Sequence, residues 1–168
     1  GLDIWQAFEV SWLNQQGISQ VATARFSIPA TSPYIVESKS LKLYLNSLNF
    51  SAFDDISSVE QTITKDLSVC VGADMTVRLF NLNDDTLTIT KPVGECIDAA
   101  LDNSTKPLAL TADIDSSLLT ASPASQLTTY RLYSDLLRSN CPVTNQPDWG
   151  TVQIEITTDY VLDKAQLL

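Results

Sequence analysis

The amino-acid sequence predicts an α+β fold: an antiparallel sheet in the order ββααββ with two helices on one face, followed by a further strand pair. Three observations predict it. Two alternating apolar runs, Phe8–Trp12 and Ala22–Ile28, flank a turn-forming segment. Two stretches with apolar residues three and four apart follow, Leu41–Leu48 and Ile56–Cys70. Alternation then returns at Met75, Val77 and Leu79. Strands that follow one another with both helices in the middle form one sheet, and both helices cover the same face of it.

Each element has its own justification. Phe8, Val10 and Trp12 alternate with Glu9 and Ser11, as in a half-buried strand. Asn14 to Gly17 supplies turn chemistry. Ala22, Ala24, Phe26 and Ile28 then point one way and Thr23, Arg25 and Ser27 the other, which completes a hairpin ended by Pro29 and Pro33. Leu41, Tyr44, Leu45 and Leu48 fall at i, i+3, i+4 and i+7, one face of a helix. Ile56, Val59, Ile63, Leu67 and Cys70 mark a second helix. Its expected start is a capping box of Ser57 and Glu60, and its expected stop is Gly72. Cys70 on this face reads as core. A fourth strand runs through Leu87 and Ile89 or through Cys96 and Ile97. Asn103 to Gln126 is rich in Ser, Thr, Ala, Pro and Leu without an aromatic, a connecting stretch with one short helical turn. Thr128–Leu137 and Gly150–Val161 are two more strands, and Asp163–Leu168 resembles a first helical turn. The expected organisation is a first unit over 1–102, a connector over 103–127 and a further unit begun over 128–168.

Composition narrows the chemistry. At 168 residues with 44% hydrophobic and 18% charged side chains, the chain is globular and long enough for one or two small domains. No run of 18 or more apolar residues exists, and no basic segment leads into an apolar one at the N-terminus, so neither a membrane span nor a secretory signal is expected. Three cysteines without extracellular cues suggest reduced thiols and a cytoplasmic setting. The formal net charge of −10 disfavours nucleic-acid phosphates as partners and points to a small molecule. The chain has no histidine, so Ser-His-Asp and Cys-His catalysis cannot be complete within it. Cys70, Cys96 and Cys141 lack paired spacing, so no metal site is expected.

Two segments stand out. In Ser139-Asn140-Cys141-Pro142-Val143-Thr144-Asn145-Gln146-Pro147-Asp148-Trp149-Gly150, a thiol and a carboxylate share one polar loop. Pro142 and Pro147 fix their own φ and bias their neighbours toward extended backbone, so the separation of Cys141 and Asp148 is well defined. From the residues alone this is either a plain turn or a nucleophile with a proton donor beside it. In Glu37-Ser38-Lys39-Ser40-Leu41-Lys42-Leu43-Tyr44, charges and hydroxyls precede an apolar helical stripe. Alone, it reads equally as an ordinary polar helix start capped by Ser38 or Ser40, with Lys39 and Lys42 solvated. Asp54 with Asp55, and Asp84 with Asp85, read as solvated turns. Trp149 and Gly150 read as structural, with Gly150 permitting a turn into the strand.

Together the two segments resemble the QueF family of NADPH-dependent nitrile reductases, whose signatures are Glu-Ser-Lys-Ser-x-Lys-x-aromatic and Ser-Asn-Cys followed by Gln-Pro-Asp-Trp-Gly. Asp3-Ile4-Trp5 through Glu9-Val10-Ser11-Trp12-Leu13 resembles the opening of the family's two-module form. The resemblance implies the tunnelling fold (T-fold), whose unit has the ββααββ order. It implies reduction of the nitrile of 7-cyano-7-deazaguanine to an aminomethyl group, in queuosine biosynthesis, with NADPH as hydride source. By the same resemblance Cys141 is the nucleophile and Asp148 the proton donor. Val36, Glu37 and Ser38 contact substrate, and Ser38 and Lys39 contact NADPH. The resemblance further implies a homo-oligomer, most simply a dimer. It also implies a His-Glu substrate pair and a basic NADPH-contacting stretch beyond Leu168, so the chain is expected to be an excised fragment or to be completed by a second chain. Little activity is expected from it alone. Two other functions stay open at this stage. One is a T-fold fragment that only holds a purine-like base or mediates assembly. The other is a relative that transfers ammonia to the same nitrile on tRNA, although such a relative is expected to lack the Glu-Ser-Lys-Ser segment and to have a basic surface.

Overall fold

The computed structural model describes residues 1–84, 90–101 and 116–168. The chain divides into two compact units, Gly1–Thr88 and Ile89–Leu168.

In the first unit β1 (Leu2–Leu13) and β2 (Ser19–Pro29) form an antiparallel hairpin, and β3 (Thr76–Asn81) pairs antiparallel with β2 to give the order β1-β2-β3. Two helices, α1 (Ser38–Ser47) and α2 (Ile56–Val71), lie between β2 and β3 in the chain. One continuous core joins Ala22, Ala24, Phe26 and Ile28 of β2 and Val77 and Leu79 of β3 to Leu41 and Leu45 of α1 and Val59, Ile63, Leu67 and Val71 of α2. The inward residues alternate along each strand and meet across the register, Ala24 with Leu79 and Phe26 with Val77, so both helices cover the same face, as the periodicity requires. This is the expected α+β arrangement.

The details depart from the expectation in instructive ways. β1 carries a bulge between Ala7 and Val10, where its register against β2 shifts. The extra residue switches which parity faces the core. Trp5 and Ala7 pack inward before the bulge and Val10 and Trp12 after it, while Phe8 is 73% exposed rather than aligned with Val10 and Trp12. Cys70 is exposed rather than core. The buried stripe of α2 is Val59, Ile63, Leu67 and Val71, a run of four-residue steps, and Cys70 sits one position short of it. Nor do Ser57 and Glu60 form a capping box. Asp55 is the N-cap, accepting from the Ser58 backbone N–H and hydroxyl at 2.8 Å each. Glu60 instead reaches to β3 and accepts the Leu79 N–H at 2.6 Å, covering a donor on the free edge of the sheet. The stop at Gly72 holds: it closes α2 in the left-handed region at φ 69°.

The second unit is a three-stranded sheet in which the short β4 (Glu95–Cys96) runs parallel to β5 (Ala121–Asn140), itself antiparallel to β6 (Pro147–Leu162). Of the two expected positions for a fourth strand, Leu87 and Ile89 lie outside the described residues. The one near Cys96 forms, but it pairs with β5 instead of extending the first sheet. The expected helical turn within the connecting stretch appears at Ser116–Leu118, and β5 begins at Ala121, earlier than the composition suggests. Asp163–Leu168 contains a single turn, closed by the Gln166 N–H on the Asp163 carbonyl at 3.2 Å.

Gly94 makes β4 possible. It has φ 126°, and an added Cβ would lie 2.3 Å from the Arg131 carbonyl oxygen. Both the backbone conformation and the close approach exclude a side chain. Gly94→Ala is expected to destabilise the second unit by about 2–4 kcal/mol, combining backbone strain with a steric clash. Thermal denaturation checks it, and an unchanged melting temperature would mean that β4 does not lie against β5 in this way.

Candidate active site

The site residues predicted from sequence fall in two places, one in each unit. Cys141 and Asp148 are at the closed end of the β5–β6 hairpin. Asn140 pairs with Pro147 and Ser139 with Asp148, and the Cys141 N–H continues the ladder by donating to the Gln146 carbonyl at 2.9 Å. The tip is tight because its residues suit it. Pro142 presets φ for the start of the turn, and Asn145 takes the left-handed conformation at φ 56° and donates its N–H to the Cys141 carbonyl at 2.8 Å. Pro147 is tolerated as the first residue of β6. Cys141 lies two residues beyond Ser139, the ladder partner of Asp148, so thiol and carboxylate are diagonal neighbours on one face of the hairpin.

The thiol is half-buried and held below its ordinary pKa. The Thr144 hydroxyl contributes most, followed by the backbone N–H groups of Thr144 and Val143, all of which favour the thiolate. Desolvation and the nearby Asp148 carboxylate act in the opposite direction. Thr144 was not among the expected site residues. Its signal was legible only as a hydroxyl three positions after a cysteine within a proline-started turn. Trp149 stacks under the Arg138 guanidinium at 5.7 Å. Gly150 does not turn the chain. It lies within β6 opposite Leu137, without a positive φ, and an added Cβ would meet nothing closer than 3.9 Å.

The Glu37 segment forms the start of α1. Glu37 itself is the N-cap, in place of Ser38 or Ser40. Its Oε1 accepts the Lys39 N–H at 2.8 Å, and its Oε2 accepts the Ser40 N–H at 2.6 Å and the Ser40 hydroxyl at 2.8 Å. These bonds, the Lys39 N–H first, hold the carboxyl below the usual carboxylate range. Glu37 is therefore an anion of fixed orientation, exposed to solvent. Val36 is 6% exposed, its side chain part of the core, so only its backbone is free to meet a ligand. Ser38 and Lys39 are exposed. The amides of Lys39 and Ser40 already serve Glu37, which leaves the Ser38 hydroxyl and the Lys39 ammonium as the groups that suit a phosphate or ribose. Beside them, a cleft of about 420 Å³ opens between β1 and α1, lined in part by Trp5, Phe8, Glu9, Ser38 and Lys42. The bulge that turns Phe8 outward shapes its β1 wall.

The paired aspartates do not form acid–base sites among the described residues. Asp55 caps α2, Asp54 accepts from the Gln15 side-chain amide at 2.7 Å, and Asp84 accepts the Asn81 N–H at 2.8 Å, while Asp85 lies outside the described residues. No cluster suited to a metal ion occurs among the described residues, and no described helix is long and apolar enough to cross a membrane.

Residues 1–79 match the family model described as nitrile reductase, 7-cyano-7-deazaguanine-reductase N-term. The chain is 56% identical, over its entire length, to an NADPH-dependent 7-cyano-7-deazaguanine reductase of Psychrobacter cryohalolentis, of which it covers 61%. It is equally similar to the enzyme of that name from Psychrobacter arcticus. With the enzyme of that name from Acinetobacter baumannii it shares 51% identity over 92% of its own length and 54% of the relative's. The chain thus spans about three fifths of the length of the curated relatives it matches. The family model takes in the capped Glu-Ser-Lys-Ser helix, and the likeness to these reductases runs on through the cysteine hairpin, so the chain is similar to the QueF nitrile reductases in both segments.

Proposed function

We propose that the protein takes part in NADPH-dependent reduction of 7-cyano-7-deazaguanine to its aminomethyl form, in queuosine biosynthesis in the cytoplasm, through a covalent intermediate on Cys141. The observation that carries this reading is the hairpin tip, which sets a thiol biased toward thiolate diagonally across from a carboxyl group. A nitrile carbon is a weak electrophile, and a thiolate is one of the few protein groups that adds to it readily. The Cys141 sulfur forms a bond to the carbon, one π bond of the nitrile opens, and its electron pair takes a proton at nitrogen. Asp148 supplies that proton. The product is a neutral thioimide, a better hydride acceptor than the nitrile. NADPH, when bound, would supply one hydride per molecule, and two in succession would carry the carbon to the amine level, the C–S bond breaking between them to return Cys141 as a thiolate. Ser38 and Lys39 hold the cofactor through hydroxyl and ammonium contacts. Glu37 accepts N–H donors from the base, and the Val36 backbone and Ser38 border it.

The working assembly is a homodimer. β1 is an edge strand of the first sheet, twelve residues long with Leu2, Ile4 and Phe8 exposed, a surface that natural proteins cover. The test uses the product of the full reading frame with cyano-deazaguanine and NADPH. Two equivalents of NADPH should be consumed for each nitrile, and sedimentation should give twice the chain mass. A preparation that binds the base and consumes no NADPH would overturn the reductase reading, and a monomer with full turnover would overturn the dimer.

A further inference from the structure

We infer that the Ser40 hydroxyl is a specificity-determining gate on the Glu37 carboxylate, occupying an acceptor position that a two-donor base must take over. The inference rests on the reading of Glu37 as the group that receives the base. A carboxylate offers about four acceptor positions, two on each oxygen. Glu37 Oε2 already has two donors, the Ser40 N–H at 2.6 Å and the Ser40 hydroxyl at 2.8 Å. Oε1 has one, the Lys39 N–H at 2.8 Å. One position therefore remains, on Oε1. A ligand edge with a single N–H fits the site as it stands. An edge with a ring N–H beside an exocyclic amino group needs one acceptor on each oxygen.

Of the three donors on Glu37, only one can leave without disturbing the fold. The two N–H groups belong to the first turn of α1 and have no helical acceptor, so releasing them would uncap the helix. The hydroxyl is a rotor, exposed and able to turn to water. The two N–H bonds, one to each oxygen, suffice to hold the carboxylate plane. Losing the hydroxyl therefore changes the orientation of Glu37 little and frees an acceptor. Competition outweighs preorganisation, and the residue that looks like a support acts as a tax on the two-donor ligand.

The experiment measures binding by titration calorimetry, and KM separately from kcat, on the product of the full reading frame. The probes are 7-cyano-7-deazaguanine, with two edge donors, and its analogue lacking the exocyclic amino group, with one. Ser40→Ala should tighten the two-donor base about 3- to 10-fold, as expected for relieving one hydrogen bond to an exposed charge. It should leave the one-donor analogue unchanged. Ser40→Gly, which also lacks the hydroxyl, should behave likewise, and Ser40→Thr, which keeps it, should match the parent. Equal weakening of both bases in the Ala and Gly variants would overturn the gate and make the hydroxyl a positioning group. No change for either base would also overturn it. If the parent and Glu37→Gln bind both bases alike, the reading of Glu37 itself fails, and the gate with it.

Discussion

Cys141→Ala is expected to abolish both the covalent adduct with cyano-deazaguanine and NADPH consumption, while the base still binds. Alanine keeps the backbone of the hairpin tip, where the Cys141 N–H and carbonyl carry the closing bonds, so the fold of the turn survives. What is lost is the thiolate, the group at the tip that adds most readily to a nitrile carbon. Intact-mass measurement of the parent should show one added ligand mass, and peptide mapping should place it on Cys141. An adduct on the exposed Cys70 or Cys96 would overturn the assignment. The pH dependence follows from the hydrogen bonds around the thiol. The thiolate is the reactive form and titrates below an ordinary cysteine's value of about 8.5. Adduct formation should therefore reach its plateau at lower pH than for a free thiol, and fall as the pH drops through the shifted value. Thr144→Val removes the largest stabilising contact and should move that midpoint upward.

Asp148→Asn should lower turnover by roughly 10²–10⁴-fold, the contribution of a positioned acid, with much less change in binding of the base. The same substitution removes a negative charge that disfavours the thiolate, so the alkylation midpoint of Cys141 should move further down. These two effects run in opposite directions. A variant that has more thiolate and yet turns over more slowly has lost a proton donor. A midpoint that moved upward would instead mean that Asp148 supports the thiolate. Unchanged turnover would place the acid elsewhere.

Much of this molecule was legible in its residue order because the governing forces are local. Alternation in Ala22–Ile28 and Met75–Leu79, and three- and four-residue steps in α1 and α2, follow from which side chains can share one apolar face, and the sheet with its helix pair follows from their order. The placement of Cys141 and Asp148 at one hairpin tip was legible for a similar reason. Pro142, Asn145 and Pro147 determine the turn over a few residues, and the flanking runs determine which strands it joins.

The remaining features depended on competition between partners distant in the chain. The β1 bulge reverses its apolar parity because Trp5 and Val10 both gain burial against β2 and the helices, at the expense of exposing Phe8. Glu60 leaves its expected cap because a free strand N–H on β3 lies within reach, and only packing of α2 against the sheet brings it there. Cys70 and Val71 both extend the spacing of α2, and the rotation of the helix against the sheet, decided by Val59 and Ile63 at 0% exposure, buries one and exposes the other. Glu37 illustrates the division most clearly. The sequence by itself determined that a carboxylate begins this helix beside a serine and a lysine. Only the tertiary structure decided that the preceding Val36 is buried in the core, and with the chain held there the carboxylate, two and three residues from its donors, caps the helix in place of the Ser38 or Ser40 hydroxyl.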